Sequence, residues 1–284
     1  MTKIAVTGAK GMLGTDFVAV AKNLGHELLE FDLPEFDLRN KDHIRNAVGS
    51  ADVVINLAAY TNVDGAESES KLCFDVNAEA VGSLARECAV KNRYLLHVST
   101  DFVFGDDTSL PLSETDQTNP LNTYGRSKLE GERLILNSGA DAAILRLQWT
   151  YGMAGNNFVS KILAKAKVSE ELRIVHDQVG TPTWTVDASK AILSLAGASA
   201  RGIFHFAPIG YVSRFEFAKF ALGEAGINVP VIPCSSSELR SPARRPLNSR
   251  FDCSKIDSFL GMRRPEWRKS ISEFILLMKK RGMI

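Results

Sequence analysis

The sequence predicts an α/β fold, in which helices cover both faces of a doubly wound parallel sheet. Apolar strand segments alternate with helical segments through the first half of the 284-residue chain, and this alternation is typical of parallel sheets. A glycine-rich turn joins the first strand to the first helix. The second half has a less regular pattern, which indicates a smaller mixed α/β lobe.

The elements of the first half follow from hydrophobic patterning. Short apolar runs are typical of strands in a buried sheet, and we expect them at residues 4–6, 27–31, 52–57, 94–98 and 143–147. Apolar side chains at helical spacing, such as Val76, Ala80, Leu84 and Cys88, predict helices. The predicted helices span residues 13–24, 42–48, 73–91 and 124–136.

The second half contains similar segments in a mixed order. Helices are expected at residues 158–167, 186–195, 215–225 and 267–280, with strands at 172–175 and 202–206. Residues 230–250 include four prolines, five serines and four arginines, and this composition predicts a long polar loop or arm. We therefore expect one domain at residues 1–150, to which part of 185–205 returns, and a discontinuous lobe formed mainly by residues 151–284.

Composition and charge exclude several classes of partner. The formal net charge is +1, so no bulk field draws the chain to nucleic acid or to a membrane surface. No apolar stretch reaches the roughly 18 residues of a membrane span, and no basic and apolar leader precedes the first strand. The four cysteines lack metal-like spacing, so we expect free thiols in a reducing cytoplasm and no metal site.

The turn after the first strand has the features of a dinucleotide-binding site. Gly8, Gly11 and Gly14 recur at a spacing of three between a predicted strand and a predicted helix. Gly8 permits a tight turn, Gly11 lets the backbone approach phosphates, and Gly14 lets helix and strand pack closely. A helix start in this position forms a cradle for a pyrophosphate. The pattern indicates a Rossmann-type sheet, and an ordinary strand-to-helix turn is the alternative.

Residues near the second strand bear on the choice of cofactor. Asp32 follows that strand, 18 positions after Gly14, where an acid can hydrogen-bond the ribose hydroxyls of NAD. Lys10 in the glycine turn and Arg39 could instead meet the 2′-phosphate of NADP. These residues leave the choice between NADH and NADPH open, and a simple turn role for Asp32 is a further alternative.

Two further segments predict the reacting groups. Tyr124 and Lys128 stand four apart in a predicted helix, so their side chains share one face. A tyrosine pKa lies near 10, and a neighbouring ammonium lowers it toward the range needed for proton transfer. Ser99, Thr100 and Asp101 follow a predicted strand, and the Thr100 hydroxyl can bond the substrate oxygen that Tyr124 protonates. The alternatives are a solvent-facing helix pair and turn capping by serine and threonine.

Gly8, Gly14, Tyr124 and Lys128 together resemble the extended short-chain dehydrogenase/reductase superfamily. Within it, seven further motifs resemble, in chain order, those of the dTDP-4-dehydrorhamnose reductase family. They occupy residues 56–64, 66–67, 99–104, 119–125, 155–158, 177–183 and 245–250. The resemblance implies reduction of the C4 keto group of a dTDP-4-dehydro-6-deoxy sugar, from dTDP-4-dehydro-L-rhamnose to dTDP-L-rhamnose, by hydride from NADPH or NADH.

The resemblance also implies which residues hold the cofactor. Gly8 and Gly14 shape the turn, and Lys128 with Tyr124 meets the nicotinamide end. The remaining residues lie in three segments, which are Gly11, Met12 and Leu13 at the phosphates, Asp32, Asp37 and Leu38 beside the adenosine, and Ala58, Ala59 and Tyr60 along the cofactor.

On the substrate side, the resemblance implies that Tyr124 is the acid and that Lys128 supports it. The residues implied to contact the sugar nucleotide are Thr100, Asp101, Trp149, Asn157, Arg245 and Asn248. Trp149 is expected to pack against the sugar ring. Arg245 belongs to an arginine cluster whose guanidinium forks suit a diphosphate, and a solvated basic loop is the alternative. A homodimer is also compatible with the resemblance.

Two positions depart from the family pattern, and several alternatives stay open. Phe102 stands where the family has tyrosine, and Gln148 stands where it has serine or threonine. A 4,6-dehydratase needs two adjacent carboxylates beside the threonine, whereas Asp101 is followed by Phe102. A 4-epimerase would retain NAD through purification. A related nucleotide-sugar 4-ketoreductase would use the same residues. A non-catalytic NADP-binding subunit, similar to the β-subunit of methionine adenosyltransferase, can keep Tyr124 and Lys128.

Overall fold

The computed structural model describes residues 2–239, 241–261 and 263–284. Its strands are β1 (Lys3–Thr7), β2 (Glu27–Phe31), β3 (Val53–Asn56), β4 (Tyr94–Thr100), β5 (Ala142–Leu147), β6 (Thr150–Tyr151), β7 (Leu172–Val175), β8 (Val179–Gly180), β9 (Thr183–Trp184), β10 (Gly202–Phe206), β11 (Val212–Ser213) and β12 (Val231–Cys234). Its α-helices are α1 (Met12–Asn23), α2 (Lys41–Gly49), α3 (Ser70–Phe74), α4 (Ala80–Lys91), α5 (Thr123–Leu136), α6 (Phe158–Ala166), α7 (Thr185–Gly197), α8 (Arg214–Ala225), α9 (Ser254–Leu260) and α10 (Trp267–Lys280).

Six strands form the main sheet, in the order β10-β5-β4-β3-β1-β2, and every pair in it is parallel. The apolar strands bury both faces, with α1 and α7 packed on one face and α2, α4 and α5 on the other. The chain moves outward in both directions from β1, so a crevice opens at the carboxyl ends of the neighbouring strands. The predicted fold class is confirmed.

A smaller lobe has an apolar core of its own. Helices α6, α8 and α10 pack around aromatic side chains such as Tyr151, Phe217 and Phe274. Three two-stranded pairs complete the lobe, namely β7 with β12, β8 with β11, and β6 with β9. Residues 185–206 lie with the main sheet, because α7 packs against α1 and β10 pairs with β5.

Several segments differ from the sequence prediction. Residues 230–250 are not a loop throughout, because β12 pairs in parallel with β7. The predicted helix at residues 73–91 begins at Ser70 and contains a π-helical turn at Asp75–Glu79. Helix α9 was not expected, because its seven residues are too few for a periodic signal. None of the helices formed by the described residues is long and apolar enough to span a membrane.

Candidate active site

The glycine turn after β1 has a shape that side chains would not permit. Gly8 has a φ of +74°, and its N–H donates to the Phe31 carbonyl at 2.9 Å. A Cβ at Gly8 would lie 2.6 Å from the Ala58 nitrogen, and one at Gly14 would overlap the Gly8 carbonyl oxygen. The turn, the start of α1 and the segment after β3 are therefore in close contact. Only glycine at positions 8 and 14 leaves room for this contact, as the glycine spacing predicts.

The start of α1 can accept an anion. Gly11 is the N-cap and makes no side-chain cap hydrogen bond, so within the described residues the N–H groups at Met12 and Leu13 are left without a side-chain cap. The helix dipole at this end favours negative charge. These residues fit a dinucleotide, with its pyrophosphate against Gly11, Met12 and Leu13.

Asp32 lies beside the glycine turn and already has two partners. Its carboxylate accepts hydrogen bonds from the backbone N–H groups of Lys10, at 2.6 Å, and Leu33, at 2.8 Å. The Lys10 ammonium pairs with Glu35 at 3.1 Å. Asp32 therefore ties the end of β2 to the turn, and its position also suits a ribose contact.

Asp37 and Leu38 follow Asp32 in the segment that joins β2 to α2. The Arg39 guanidinium pairs with the Asp37 carboxylate at 2.6 Å and holds the pKa of that carboxyl below its usual range. Leu38 is buried in the core on one face of the sheet. Arg39, like Lys10, thus has a carboxylate partner within the protein, and neither cation by itself decides between NADH and NADPH.

The segment after β3 is held by Asn77, a residue that the sequence analysis missed. Asn77 lies in the π-turn, where its side-chain oxygen accepts from the Tyr60 N–H at 2.9 Å and its nitrogen donates to the Tyr60 carbonyl at 3.0 Å. That nitrogen also donates to the Ser127 hydroxyl of α5 at 3.0 Å. Asn77 therefore links α5 to the predicted cofactor segment, which includes Ala58 and Ala59. π-turns often mark functional sites, but hydrophobic spacing does not reveal them.

Helix α5 places Tyr124 against the turn that follows β4. The Asn122 side chain caps the helix by accepting from the Gly125 N–H at 2.8 Å. A Cβ at Gly125 would overlap the Phe102 carbonyl oxygen, so glycine allows this close approach. The rings of Phe102 and Tyr124 meet edge to face, with centroids 5.6 Å apart. Phe102 thus packs beside Tyr124 without supplying a hydroxyl.

The electrostatics of Tyr124 differ from the expectation. Burial raises the pKa of its phenol above the usual value, and the Thr100 hydroxyl partly opposes that rise. The expected lowering by Lys128 is wrong for the protein alone, because Lys128 Nζ is bonded elsewhere, 2.8 Å from the Val98 carbonyl oxygen and 3.0 Å from His97 Nε2. Burial lowers the pKa of Lys128 itself to about 8. The Tyr124 phenol therefore keeps its proton near neutral pH.

Strand β4 continues through Thr100, two residues further than expected. The Thr100 hydroxyl donates to one Asp101 oxygen at 3.0 Å and also caps the next turn by accepting from the Phe102 N–H at 3.2 Å. The Ser249 hydroxyl donates to the other Asp101 oxygen at 2.5 Å. Burial raises the pKa of Asp101, and both hydroxyls oppose that rise. Asp101 therefore orients Thr100 beside Tyr124.

Trp149 follows β5 with a φ of +46°, and an arginine that the sequence analysis missed stacks on its ring. The guanidinium carbon of Arg214 lies 3.6 Å from the Trp149 ring centroid and 4.9 Å from that of Phe158. Burial lowers the pKa of Arg214 to about 9, and Asp101 opposes this shift. A Cβ at Gly180 would lie 2.9 Å from the Trp149 ring. A single arginine at a helix start has no spacing signal, so its contact with Trp149 depends on the fold.

Asn157 and Asn248, both predicted to contact the sugar nucleotide, make structural hydrogen bonds. Asn157 caps α6 by accepting from the Ser160 N–H at 3.1 Å, and it donates to the Gly152 carbonyl at 2.8 Å. The Asn248 amide nitrogen donates to the carbonyl oxygens of residues 108 and 110 at 2.9 and 2.8 Å. Their contacts with a substrate stay predictions.

Arg245 belongs to the polar arm, which we define as residues 241–250. It pairs with Asp64 at 2.7 Å and lowers the pKa of that carboxyl to about 2. Arg244 pairs with Asp106 at 2.8 Å. The two ion pairs fasten the arm to the loops after β3 and β4. The positive charge of Arg245 also lowers the pKa of Arg214, so the two guanidinium groups lie in one region.

The structure brings most of the predicted residues to one edge of the sheet. Gly8 and Ala58 follow β1 and β3, Thr100 ends β4, and Trp149 follows β5, and these four strands are neighbours in the sheet. Helix α5 presents Tyr124 beside Thr100, the third of these positions. A cradle suited to a dinucleotide thus lies next to the phenol of the half-buried Tyr124, a hydroxyl and an amine.

Comparison with known proteins agrees with this geometry. A family model described as RmlD substrate binding domain matches residues 1–279. A dTDP-4-dehydrorhamnose reductase of Sinorhizobium fredii is 37% identical over an alignment 293 residues long, which covers 99% of this chain and 99% of the relative. The chain belongs to the dTDP-4-dehydrorhamnose reductase family. The resemblance inferred from the sequence motifs is therefore confirmed.

Solved structures of the family share the whole architecture. A dTDP-4-dehydrorhamnose reductase from Clostridium acetobutylicum superposes with a TM-score of 0.94 at 34% identity, covering 98% of this chain and 99% of that one. A dTDP-4-dehydrorhamnose reductase from Bacillus anthracis, in complex with NADP, superposes with a TM-score of 0.93 at 31% identity, covering 97% and 99%. The fold of this chain is thus one in which a reductase binds NADP.

Proposed function

We propose that this protein reduces the C4 keto group of dTDP-4-dehydro-L-rhamnose to give dTDP-L-rhamnose, with NADPH or NADH as the reductant. The observation that carries the proposal is the juxtaposition of the glycine cradle with Tyr124, Thr100 and Lys128 at one sheet edge, in a chain of the dTDP-4-dehydrorhamnose reductase family. The product is a nucleotide sugar of the kind used for cell-surface polysaccharides.

The protein holds the cofactor mainly through backbone groups. Gly8 and Gly14 keep the turn tight, and the start of α1 receives the pyrophosphate. The bound nicotinamide supplies a hydride for C4 of the sugar. Asp32, Asp37 and Leu38 flank the adenosine in this proposal, and the segment Ala58, Ala59 and Tyr60 lines the cofactor between its ends. The complex of the Bacillus anthracis relative with NADP favours NADPH.

Tyr124 and Thr100 act on the sugar oxygen O4. As hydride reaches C4, negative charge develops on O4, and Tyr124 donates its proton there. The pKa of Tyr124, raised by burial, keeps the phenol protonated before the reaction. Thr100 lies beside the phenol, and its hydroxyl, which donates to Asp101 in the protein alone, turns to donate to the same oxygen when the sugar is bound. Lys128 supports the phenolate that remains and meets the nicotinamide ribose.

The second lobe and the arm provide the substrate side. We propose that residues 1–150, with part of 185–205, form the cofactor domain and that residues 151–284 mainly form the substrate lobe. Trp149 packs against the sugar ring, and Arg214 and Arg245 provide positive charge for the diphosphate. Asn157 and Asn248 contact the sugar nucleotide in addition to their structural bonds. The reaction takes place in the cytoplasm, and the homodimer stays a prediction.

The direct test supplies dTDP-4-keto-6-deoxy sugars with NADH or NADPH. Loss of absorbance at the nicotinamide band reports reduction, and NMR identifies the product. We expect dTDP-L-rhamnose from dTDP-4-dehydro-L-rhamnose. Preference for a different hexose would indicate a related nucleotide-sugar 4-ketoreductase. Absence of reduction of every keto sugar, together with a stable complex with a methionine adenosyltransferase, would instead support the non-catalytic subunit.

A further inference from the structure

Ser249 joins the polar arm to a carboxylate of the proposed active site. It is 2% exposed, and its hydroxyl donates to one Asp101 oxygen at 2.5 Å. The other Asp101 oxygen accepts from the Thr100 hydroxyl at 3.0 Å. Asp101, which is itself 2% exposed, therefore has a hydroxyl donor on each oxygen, one from the end of β4 and one from the arm.

Backbone hydrogen bonds fix the place of the Ser249 hydroxyl. The Ser249 N–H donates to the Val179 carbonyl of β8 at 2.8 Å, and the Val179 N–H donates to the Leu247 carbonyl at 2.8 Å. A Cβ at Gly180 would lie 3.0 Å from the Ser249 Cβ, so the arm packs tightly on β8. These contacts do not involve the hydroxyl. Ser249→Ala therefore removes the hydrogen bond to Asp101 and keeps the backbone contacts of the arm.

The Thr100 hydroxyl is held so that its proton can change direction. Its oxygen accepts from the Phe102 N–H at 3.2 Å, and this contact fixes the position of the oxygen. The proton can still turn, because a hydroxyl rotates about its bond to carbon. In the proposed reaction the proton turns from Asp101 to the sugar oxygen O4. Asp101 then loses one of its two hydroxyl donors while it stays buried.

Ser249 is the hydroxyl that stays with Asp101 when Thr100 turns. A buried carboxylate that lacks hydrogen-bond donors is costly. Without the Ser249 hydroxyl, the turn of Thr100 would leave Asp101 with neither of its hydroxyl donors, so Asp101 would hold the Thr100 proton more strongly. Ser249 therefore makes it easier for Thr100 to donate to the sugar.

We propose that Ser249 is a positioning residue, which holds the Asp101 carboxylate while Thr100 turns its hydroxyl to the sugar oxygen. The inference rests on the proposed reduction, in which Thr100 donates to O4. Ser249 lies four positions after Arg245 in the polar arm. The arm thus reaches both the sugar nucleotide, through Arg245, and the reacting hydroxyl, through Ser249 and Asp101.

The groups around Asp101 act on its protonation in both directions. Burial raises the pKa of Asp101, and the hydroxyls of Ser249 and Thr100 oppose that rise, as does the positive charge of Arg214 on α8. The Tyr124 phenol on α5 also lies within the field of Asp101, and it is protonated near neutral pH. Loss of the Ser249 hydroxyl should therefore raise the pKa of Asp101, because fewer groups then oppose the effect of burial.

A double-substitution cycle in the full chain tests whether Ser249 acts through Thr100. Turnover of dTDP-4-dehydro-L-rhamnose with NADPH is measured for the unaltered protein, Ser249→Ala, Thr100→Val and the double variant. We expect Ser249→Ala to lower kcat about tenfold, as for one lost hydrogen bond to a charged group, with the KM for NADPH unchanged. In the Thr100→Val background the same substitution should change kcat by less than about twofold. An unchanged kcat in Ser249→Ala, or an equal loss in both backgrounds, overturns the proposal.

Ser270→Ala is the matched control, because it removes the same kind of hydrogen bond elsewhere in the protein. Ser270 of α10 is 2% exposed, and its hydroxyl donates to the Asp187 carboxylate of α7 at 2.6 Å. Burial raises the pKa of Asp187 too, and Ser270 opposes that rise. We expect Ser270→Ala to leave kcat unchanged in both backgrounds. An equal loss of kcat in the two serine variants contradicts a specific role for Ser249.

NMR reads the contact between Ser249 and Asp101 without turnover. The protein is labelled with ¹³Cγ-aspartate, the Asp101 signal is assigned from its loss in Asp101→Asn, and the signal is titrated with pH. We expect Ser249→Ala to raise the pKa of Asp101 by about one unit, a roughly tenfold change in the ratio of acid to carboxylate. Ser270→Ala should leave this titration unchanged. An unmoved Asp101 titration in Ser249→Ala overturns the proposal.

Two further provisions keep the outcomes distinct. If Ser249→Ala does not fold, Ser249→Cys takes its place, because cysteine has a similar shape and only a weak donor, and the same outcomes decide. Absence of reduction by the unaltered protein overturns the proposed function, whereas the Asp101 titration still decides whether Ser249 holds that carboxylate.

Discussion

Helix α5 carries two buried polar clusters, and they differ in the partner that each provides for a buried basic side chain. Near its start, Lys128 contacts His97 and a backbone carbonyl. One turn further, Glu132 pairs with Arg146 at 2.6 Å, with both side chains 2% exposed. Arg146 also lies 3.3 Å from His205. Each cluster holds one basic side chain and one histidine, but only the second gives its cation a carboxylate partner.

The presence of a paired carboxylate distinguishes the structural cluster around Arg146 from the reactive cluster around Lys128. Arg146 pairs with Glu132, lies beside His205, and joins α5 to β5 and β10. Burial without a paired carboxylate lowers the pKa of Lys128 to about 8, so this group can change its protonation state near neutral pH. Changes in the Lys128 cluster should therefore alter the reaction, and changes in the Glu132 cluster should alter stability.

The largest expected effect is on the reaction. Tyr124→Phe removes the proposed acid but keeps the ring that packs against Phe102, so turnover should fall by about 10²–10⁴-fold. Steady-state assays measure this loss, and thermal unfolding and NADPH fluorescence titration should match the unaltered protein. Turnover close to normal would place the proton donor elsewhere.

The next effect is on folding. Glu132→Gln leaves the buried Arg146 without its counter-charge, which should lower the free energy of unfolding by about 3–5 kcal/mol. Urea denaturation measures this change. As a control, Asp42→Asn breaks the exposed pair with Arg45, where the loss should stay below about 1 kcal/mol. Equal losses in the two variants would mean that the Glu132 cluster does not differ from a surface ion pair.

Arg214→Met should act on substrate binding alone. It removes a guanidinium that stacks on Trp149 but retains an apolar side chain for that ring. We expect the KM for the sugar nucleotide to rise about tenfold, as for one lost charge-assisted hydrogen bond, with the KM for NADPH unchanged. Arg263→Met, which removes an arginine at a surface ion pair, is the matched control. An unaltered sugar-nucleotide KM would assign Arg214 to packing.

The smallest effect concerns the stability that the polar arm contributes at acid pH. The folded pKa of Asp64, lowered to about 2 by Arg245, lies below its unfolded value near 3.9. The Asp64–Arg245 pair thus stabilises the fold fully above pH ~4 and loses this contribution as the pH falls toward ~2. Because both side chains are partly exposed, the contribution should be no more than about 1 kcal/mol. Arg245→Met should reduce the acid-dependent change in urea midpoint over this range, and an identical acid profile would contradict it.

The sequence predicted those features that depend on local pattern. The glycine spacing identified the turn at Gly8 and Gly14, and the apolar runs located the strands of the main sheet. The motif around Tyr124 led to the right family. Each of these depends on residues close together in the chain, where periodicity and turn chemistry are informative.

The missed features depend on contacts between distant segments. Asn77 acts from a π-turn, and Arg214 reaches Trp149 from the start of another helix. Lys128 contacts His97, and His97 contacts Asn56 on a neighbouring strand. Such contacts arise only when the sheet brings those segments together, so no spacing in the sequence indicates them.

The most direct test of the proposed function follows a labelled hydride. dTDP-4-dehydro-L-rhamnose is incubated with NADPH that carries deuterium at the transferable position, and the product is examined by NMR. We expect dTDP-L-rhamnose with deuterium at C4, formed by the unaltered protein and almost absent with Tyr124→Phe. A product without deuterium at C4, or equal formation by both proteins, would contradict it.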